Sequence, residues 1–387
     1  MKVEQIYTLM NSVTNEILGK TDVVNEDLSN IVDVGTEIFN SSSVDNYVKT
    51  LVNRIGKVIF VNRPYSGNVP SILMDSWEFG SVLEKISTDL PIASENESWE
   101  LENGKEYKQD IFYKPTVSAK FFNSKVTFEV PMSFTEKQVK DSFANSTELN
   151  GFLTMLYNAV DKSMTIKIDS LIMRTINNMT AQTFIDEFSE SVTDNDYSKV
   201  SGIKAINLLK LYNDKFATTL TAENAITDES FIKFATYTIG LYKDRLSKIS
   251  TLFNIGGKER FTPSSELHTV LLSDFVKASY IYAKSETYHD EYLALPDAET
   301  VPYWQGSGTN YSFADVSKIN VKYGDKTITT SGIIGVMFDT NSCGVCNSDR
   351  RVTTSYNAKA EFYNNFYKFD ASYFNDTNEN FITFFVA

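Results

Sequence analysis

At 387 residues the chain exceeds the length that one hydrophobic core normally serves, so two or more lobes are expected. Against 50 Asp and Glu it carries 36 Lys and Arg, a formal charge of −14 with no basic run, which excludes a protein that grips nucleic acid through its phosphates. No cationic start leads an apolar run, no stretch approaches ~18 consecutive apolar residues, and Cys343 and Cys346 are the only cysteines; a secretory signal, a membrane span and a disulfide framework are not expected, and a reducing cytoplasm is.

In chain order, Val3, Ile6, Tyr7, Met10, Val13 and Ile17 predict an amphipathic helix over 3–18, docked on its own core or on a neighbour. Ser43 offers an N-cap to a second helix whose face is Val44, Tyr47, Val48, Leu51, Val52 and Ile55, and Gly56 ends it. Residues 57–61 read as a strand closed by the turn signals Pro64 and Gly67. From 63 to 115 the periodicity weakens into a long excursion. Strands over 81–88 and 110–113 are expected to flank a polar tip with Glu95, Glu97, Glu100, Glu102 and Glu106 around Trp99 and the turn pair Asn103-Gly104. One reading is a solvated loop. The other is a two-stranded arm that meets an adjacent subunit through Glu97, Trp99, Glu100, Glu102 and Lys105, since a lone hairpin is marginal in water.

Residues 116–122 and 125–130 flank Asn123-Ser124 as a second expected hairpin, and 134–143 as a helical turn. The strongest element follows. Asn145 and Glu148 resemble a capping box, and Leu149, Phe152, Leu153, Leu156, Val160, Met164, Ile168, Leu171, Ile172 and Ile176 share one face. A helix over 146–177 would be a spine of roughly 48 Å. Beyond it, helices are expected over 203–212 and over 229–253, the latter capped by Thr227 or Asp228. After the break Thr262-Pro263-Ser264-Ser265 comes a strand over 267–272, then a helix opened by Asp274. Residues 301–324 read as loop with a flexible Gly306-Ser307-Gly308, residues 333–338 as a buried strand, and 352–369 and 381–386 as aromatic strands. With 27 Phe and 21 Tyr the chain is rich in the side chains that dominate cores and interfaces.

No catalytic constellation emerges. Cys343-Gly344-Val345-Cys346 has the spacing of half a metal or redox site, but no second pair exists, and it sits in a polar stretch read as loop. His268 reads as a satisfied core histidine and His289 as a surface group. Gly256-Gly257-Lys258 lacks the flanking residues of a phosphate loop and reads as a turn. No cofactor and no metal are expected.

The segment Leu51-Val52-Asn53-Arg54-Ile55-Gly56-Lys57-Val58, the excursion, the Phe-rich 116–130 and the long helix together resemble the major capsid proteins of tailed bacteriophages, most closely those of small short-tailed phages. The likeness covers 43–179 and continues through 261–292 and the terminal strands. It implies an α+β, Hong Kong 97-type capsid fold: an N-terminal arm (1–42), an extended β-hairpin loop (62–130), a peripheral domain (43–61 and 131–200, with the spine helix), an axial domain (201–340), and terminal strands (341–387) that are mainly peripheral. It also implies self-assembly into hexamers and pentamers of an icosahedral head, formed in the host bacterial cytoplasm. That head would enclose double-stranded DNA without sequence-specific binding, with scaffolding and portal proteins as partners and no membrane. No cross-linking Lys–Asn pair can be placed. The alternatives are a cargo-enclosing nanocompartment of the same fold, an enzyme using the Cys343 and Cys346 thiols, and a receptor- or carbohydrate-binding phage protein, which the spine helix disfavours.

Overall fold

The computed structural model describes residues 71–74, 83–88, most of 90–138, 146–189, 191–192, 194–284, 298–305 and 312–387, with Tyr7, Asn11, Thr14, Val24, Asn25, Asn30 and Val34 near the start. Tyr7, Asn11 and Thr14 are helical; the rest of the 3–18 helix, the 43–55 helix, the 57–61 strand, Asn145, His289 and Gly306-Ser307-Gly308 lie outside the described residues.

Two sheets and one long helix organise the chain. Strands β1 (Leu73–Met74), β4 (Lys125–Thr135), β11 (Cys343–Asn357) and β12 (Phe362–Asn375) form a four-stranded sheet ordered β1-β11-β12-β4. A five-stranded sheet ordered β5-β13-β10-β6-β7 joins β5 (Ala205–Asn207), β6 (Leu267–Leu272), β7 (Glu299–Val301), β10 (Ile333–Asp339) and β13 (Phe381–Phe385). Two hairpins stand apart, β2 (Leu83–Thr88) with β3 (Val117–Phe122), and β8 (Ile319–Tyr323) with β9 (Lys326–Thr330). The long helix α1 (Ser146–Phe188) packs against both sheets. Helices α2 (Leu208–Phe216), α3 (Glu229–Leu246) and α4 (Ser273–Lys284) cover the far face of the five-stranded sheet.

The five-stranded sheet is the middle layer, and its side chains divide with the period of a strand. Val336, Phe338, Phe381 and Phe385 face the α1 side, while Ile334, Met337, Ile382 and Phe384 face α2–α4. A sheet buried on both faces reads as a continuous apolar run, which is why 333–338 and 381–386 were legible as buried strands. In the four-stranded sheet β12 alternates instead, with Tyr363, Asn365, Tyr367, Phe369 and Ala371 buried.

Several expectations need correction. The spine helix starts where expected but runs to Phe188, a length of roughly 64 Å. Its last turns carry Asn and Thr, which favour helix ends, yet Thr175, Thr180 and Thr183 are fully buried in the core. Thr175 and Thr183 satisfy their hydroxyls on the carbonyls of Leu171 and Met179, so packing overrides propensity. Residues 116–130 form no hairpin: β3 pairs with β2, and β4 pairs with β12, so the chain changes sheet at Asn123-Ser124. The partner of 83–88 is thus 117–122; Phe112 and Tyr113 lie in no strand. Residues 134–135 end β4, so the helical turn expected over 134–143 starts later; within it Lys137 and Gln138 are helical. In the stretch read as a helix over 203–212, β5 pairs parallel with β13 before α2 begins, because fully buried Ala205, Ile206 and Asn207 complete the sheet edge. Asp228 caps α3, accepting from the Phe231 amide at 2.7 Å, but the helix ends at Leu246, not 253. Residues 301–324 hold the end of β7, a short helix (Phe313–Val316) and β8. Most of 341–387 lies in the four-stranded sheet as β11 and β12, with β13 alone in the five-stranded one.

Candidate assembly surface

The excursion returns to the body through one ladder. β2 and β3 pair antiparallel, with Leu83 opposite Phe122, Lys85 opposite Lys120, Ile86 opposite Ala119 and Thr88 opposite Val117. Two lysines directly opposite one another destabilise a ladder unless something neutralises them. Here the turn between β12 and β13 does so. Lys85 Nζ lies 2.8 Å from Asp376 Oδ2 and 2.7 Å from Glu379 Oε1, and Lys120 Nζ lies 3.0 Å from Asp376 Oδ1 and 2.8 Å from Thr377 Oγ1. Arg260 adds a third cation, its Nε 3.2 Å from Glu379. The Asp376 side chain is only 2% exposed. Burial alone would raise its carboxyl, but Lys85, the Asn378 amide and Lys120 outweigh that and hold it below the ordinary carboxylate value. Phe122 packs on Phe374 at 5.3 Å beside this clamp. Because the turn is fixed by backbone bonds from Asp376 to Ser342 and from Gly256 to Thr377, the clamp sits on rigid ground.

Since side chains alternate along a strand, the opposite face of the same hairpin looks outward. It carries Ile86, 65% exposed, Phe121, 61% exposed, and Val117. Between the strands runs a connector from 89 to 116, which also presents Leu101, Phe112 and Tyr113 to solvent. Its tip orders itself locally. Glu97–Trp99 form a short 3-10 turn, with the Ser98 amide donating to Asn96 Oδ1. Lys105 N donates to Glu102 O at 3.3 Å, closing a turn through Asn103 and Gly104, whose φ of +91° suits glycine. Tyr107 Oη accepts the Glu102 amide at 3.0 Å, and Lys105 Nζ lies 5.5 Å from the Tyr107 ring.

Of the site residues expected from sequence, Trp99, Glu100, Glu102 and Lys105 are all exposed within this one tip, Trp99 at 96%; Glu97 lies in the same turn. Sequence reasoning missed Ile86, Val117 and Phe121, although the alternation in 83–88 and 117–122 contains them. It also missed the clamp, whose partners are 119 to 294 residues apart and leave no local signal.

The other candidates are structural. Cys343 and Cys346 lie in β11, not in a loop, and both are buried; burial pushes the Cys343 thiol up to about 12, which keeps it protonated. A cavity of about 660 Å³ lies beside α1, walled by Asp169, Arg174, Asn177, Trp304 and Lys322, and neither cysteine lines it. His268 stacks on Phe338 at 5.3 Å and lies 3.0 Å from Glu299, as a satisfied core histidine should. Glu299 also accepts from the Ser71 amide and hydroxyl, which ties the chain before β1 to the five-stranded sheet. Burial would raise the Glu299 carboxyl, and the bonds from His268 and Ser71 bring it below its usual value. Gly256 and Gly257 form a turn, as expected. Among the described residues no group of three or more His, Cys, Asp and Glu could hold a metal, and no helix is long and apolar enough to cross a membrane.

A family model described as Phi29-like phage major capsid protein matches residues 10–385. No curated protein sequence matches the chain. Among solved structures, the chain is similar to one in the capsid of Staphylococcus phage Andhra, at 10% identity over 84% of this chain and 86% of that one, with a TM-score of 0.47. It is also similar to chains in the capsid of cyanophage P-SCSP1u (9% identity, 85% and 92% covered, TM-score 0.42) and in the mature capsid of bacteriophage PhiM1 (8% identity, 84% and 87% covered, TM-score 0.42).

Proposed function

The chain belongs to the Phi29-like phage major capsid protein family, and from that premise we propose how its surfaces build a shell. It is a structural protein of the virion that associates with copies of itself. In the proposed arrangement, hexamers and pentamers close an icosahedral head of the Hong Kong 97 type. The four-stranded sheet with α1 is the peripheral domain, the five-stranded sheet with α2–α4 is the axial domain, and β2–β3 with 89–116 is the extended loop. The loop lies across an adjacent subunit. The carrying observation is the outward face of Ile86, Val117 and Phe121 on a hairpin whose inward face is clamped by charge. A face of that kind, held rigidly away from its own core, is stable only when something covers it. Trp99, Glu100, Glu102 and Lys105 at the tip extend the same contact.

The head encloses double-stranded DNA, formed in the host cytoplasm with scaffolding and portal proteins. A chain with a formal charge of −14 forms a wall that does not adhere to packaged phosphates, which supports this reading. No chemistry is assigned to the chain, since its two thiols are buried in a strand. Replacing Phe121 with Asp tests the assembly reading. Electron microscopy should show shells or capsomer rings for the parent protein and unassembled subunits for the variant, with unchanged circular dichroism. Shells formed equally well by Phe121→Asp would overturn the role of the hairpin.

A further inference from the structure

The chain contains two Asn-Gly pairs, Asn103-Gly104 and Asn150-Gly151, and the fold treats them in opposite ways. Asn103 is exposed, and among the described residues neither its side chain nor the Gly104 amide has a partner. Gly104 stands in open space: a Cβ built there would meet nothing within 4 Å. Asn150-Gly151 lies inside α1, past the first turn, where each amide already donates to the carbonyl four residues back.

From this contrast we propose that Asn103 is a site of spontaneous deamidation and isomerisation, and that its rate reports whether the loop tip is docked. The first step needs only solvent. Base removes the Gly104 amide proton, and the nitrogen attacks Cγ of Asn103. As that C–N bond forms, the Cγ–Nδ2 bond breaks and ammonia leaves, closing a five-membered succinimide. Water then opens either ring carbonyl, giving aspartate or isoaspartate; nothing is oxidised or reduced. Glycine favours the closure because it has no side chain beside the attacking nitrogen and permits the backbone rotation the ring requires. Helical Asn150-Gly151 cannot make that rotation without breaking α1.

The consequence is local and electrostatic. Either product adds a carboxylate between Glu100, Glu102 and Glu106. Isoaspartate also lengthens the backbone by one methylene, which undoes the Lys105–Glu102 turn and moves Lys105 off the Tyr107 ring. The second half of the proposal rests on the loop lying on an adjacent subunit, since a covered tip loses both water and backbone freedom.

The test ages full-length protein at mildly alkaline pH, once as free subunits and once as shells, and follows the tryptic peptides 86–105 and 141–162 by mass spectrometry with isoaspartyl methyltransferase labelling. In free subunits Asn103 should gain one mass unit and become labelled over days while Asn150 does not. Gly104→Ala should slow this several-fold. In shells the conversion should be strongly suppressed. Equal conversion in both forms would leave the modification standing and overturn docking of the tip. Absence of conversion in free subunits, or conversion of Asn150 at the rate of Asn103, would overturn the modification site itself.

Discussion

Asp376→Asn removes the one carboxylate that both hairpin lysines share. Lys120 would then face Lys85 across the ladder with no carboxylate of its own, and the remaining anion, Glu379, is already shared between Lys85 and Arg260. Breaking a buried ion pair by deleting one partner costs about 3–5 kcal/mol. The lysines keep 25% and 35% of their exposure, so solvent screening brings the expected loss here to about 2–4 kcal/mol. The hairpin touches the body at few other places, Phe122 on Phe374 among them, so the loss should appear as local opening rather than global unfolding. Hydrogen exchange read peptide by peptide separates the two. Amides of 83–88 and 117–122 should exchange faster by roughly 30- to 900-fold, unless they reach the rate of free chain first. Amides of Phe381–Phe385, in a strand paired on both edges within the five-stranded sheet, should be unchanged. Unaltered protection of the hairpin in Asp376→Asn would refute the clamp. Equal loss in β13 would show that Asp376 supports the core instead of the hairpin.

The same carboxylate gives a pH dependence. Its folded value lies below the ordinary 3.8, so its stabilisation is complete above that value and is lost as pH falls through the still lower folded value. Hairpin protection should therefore persist at pH 5 and fail only in strong acid, as proton exchange profiles of 83–88 would show. Gly332 has φ +85° and a Cβ there would run into the Val386 carbonyl oxygen, so Gly332→Ala should cost about 3 kcal/mol or more and lower Tm by about 4 °C or more in calorimetry. An unchanged Tm would mean that the 330–333 turn relaxes freely. Cys343 and Cys346 are both fully buried, so Ellman's reagent should find no reactive thiol in the native protein and two after denaturation. Rapid native labelling would reopen a thiol chemistry.

What the sequence revealed follows from the range over which each force acts. The start of α1, the Asp228 cap and the exact strand Leu267–Leu272 depend on neighbours within a few residues, and periodicity or capping announces them. The Cys343 strand start was hidden because polar Asn347, Ser348 and Asp349 interrupt β11, where the pairing with β12 also shifts register. The partner of β2 was hidden for another reason. Local spacing favoured 116–122 with 125–130 across Asn123-Ser124, yet β4 finds a longer ladder on β12 and leaves β3 to β2. Of the site, the tip was legible from its composition. The clamp was not, since it joins residues from 85, 120, 260, 376 and 379.

The clamp also explains why a charged anchor suits this position better than an apolar one. Each strand of the hairpin has one face for the body and one for solvent, and a slip of one residue exchanges them. With an apolar anchor, Ile86 and Phe121 could replace it on the body at little cost, and the outward face would be lost. With Asp376 and Glu379 waiting, such a slip would place Phe121 or Ile86 against two buried carboxylates, leaving Asp376 without a cation and Glu379 with Arg260 alone, at a cost of several kcal/mol. Phe121 and Ile86 are therefore held outward by what the inner face demands, not by any attraction of their own. On this argument Lys120→Leu should do more than weaken the hairpin. It should let the side chain at position 121 turn inward, so that an indole introduced there by Phe121→Trp becomes less accessible to a soluble quencher. Lys120→Leu alone should abolish shell assembly even where the fold survives. A Lys120→Leu protein that still assembles, with the introduced indole as exposed as before, would show that the register is set by the connector and not by the clamp.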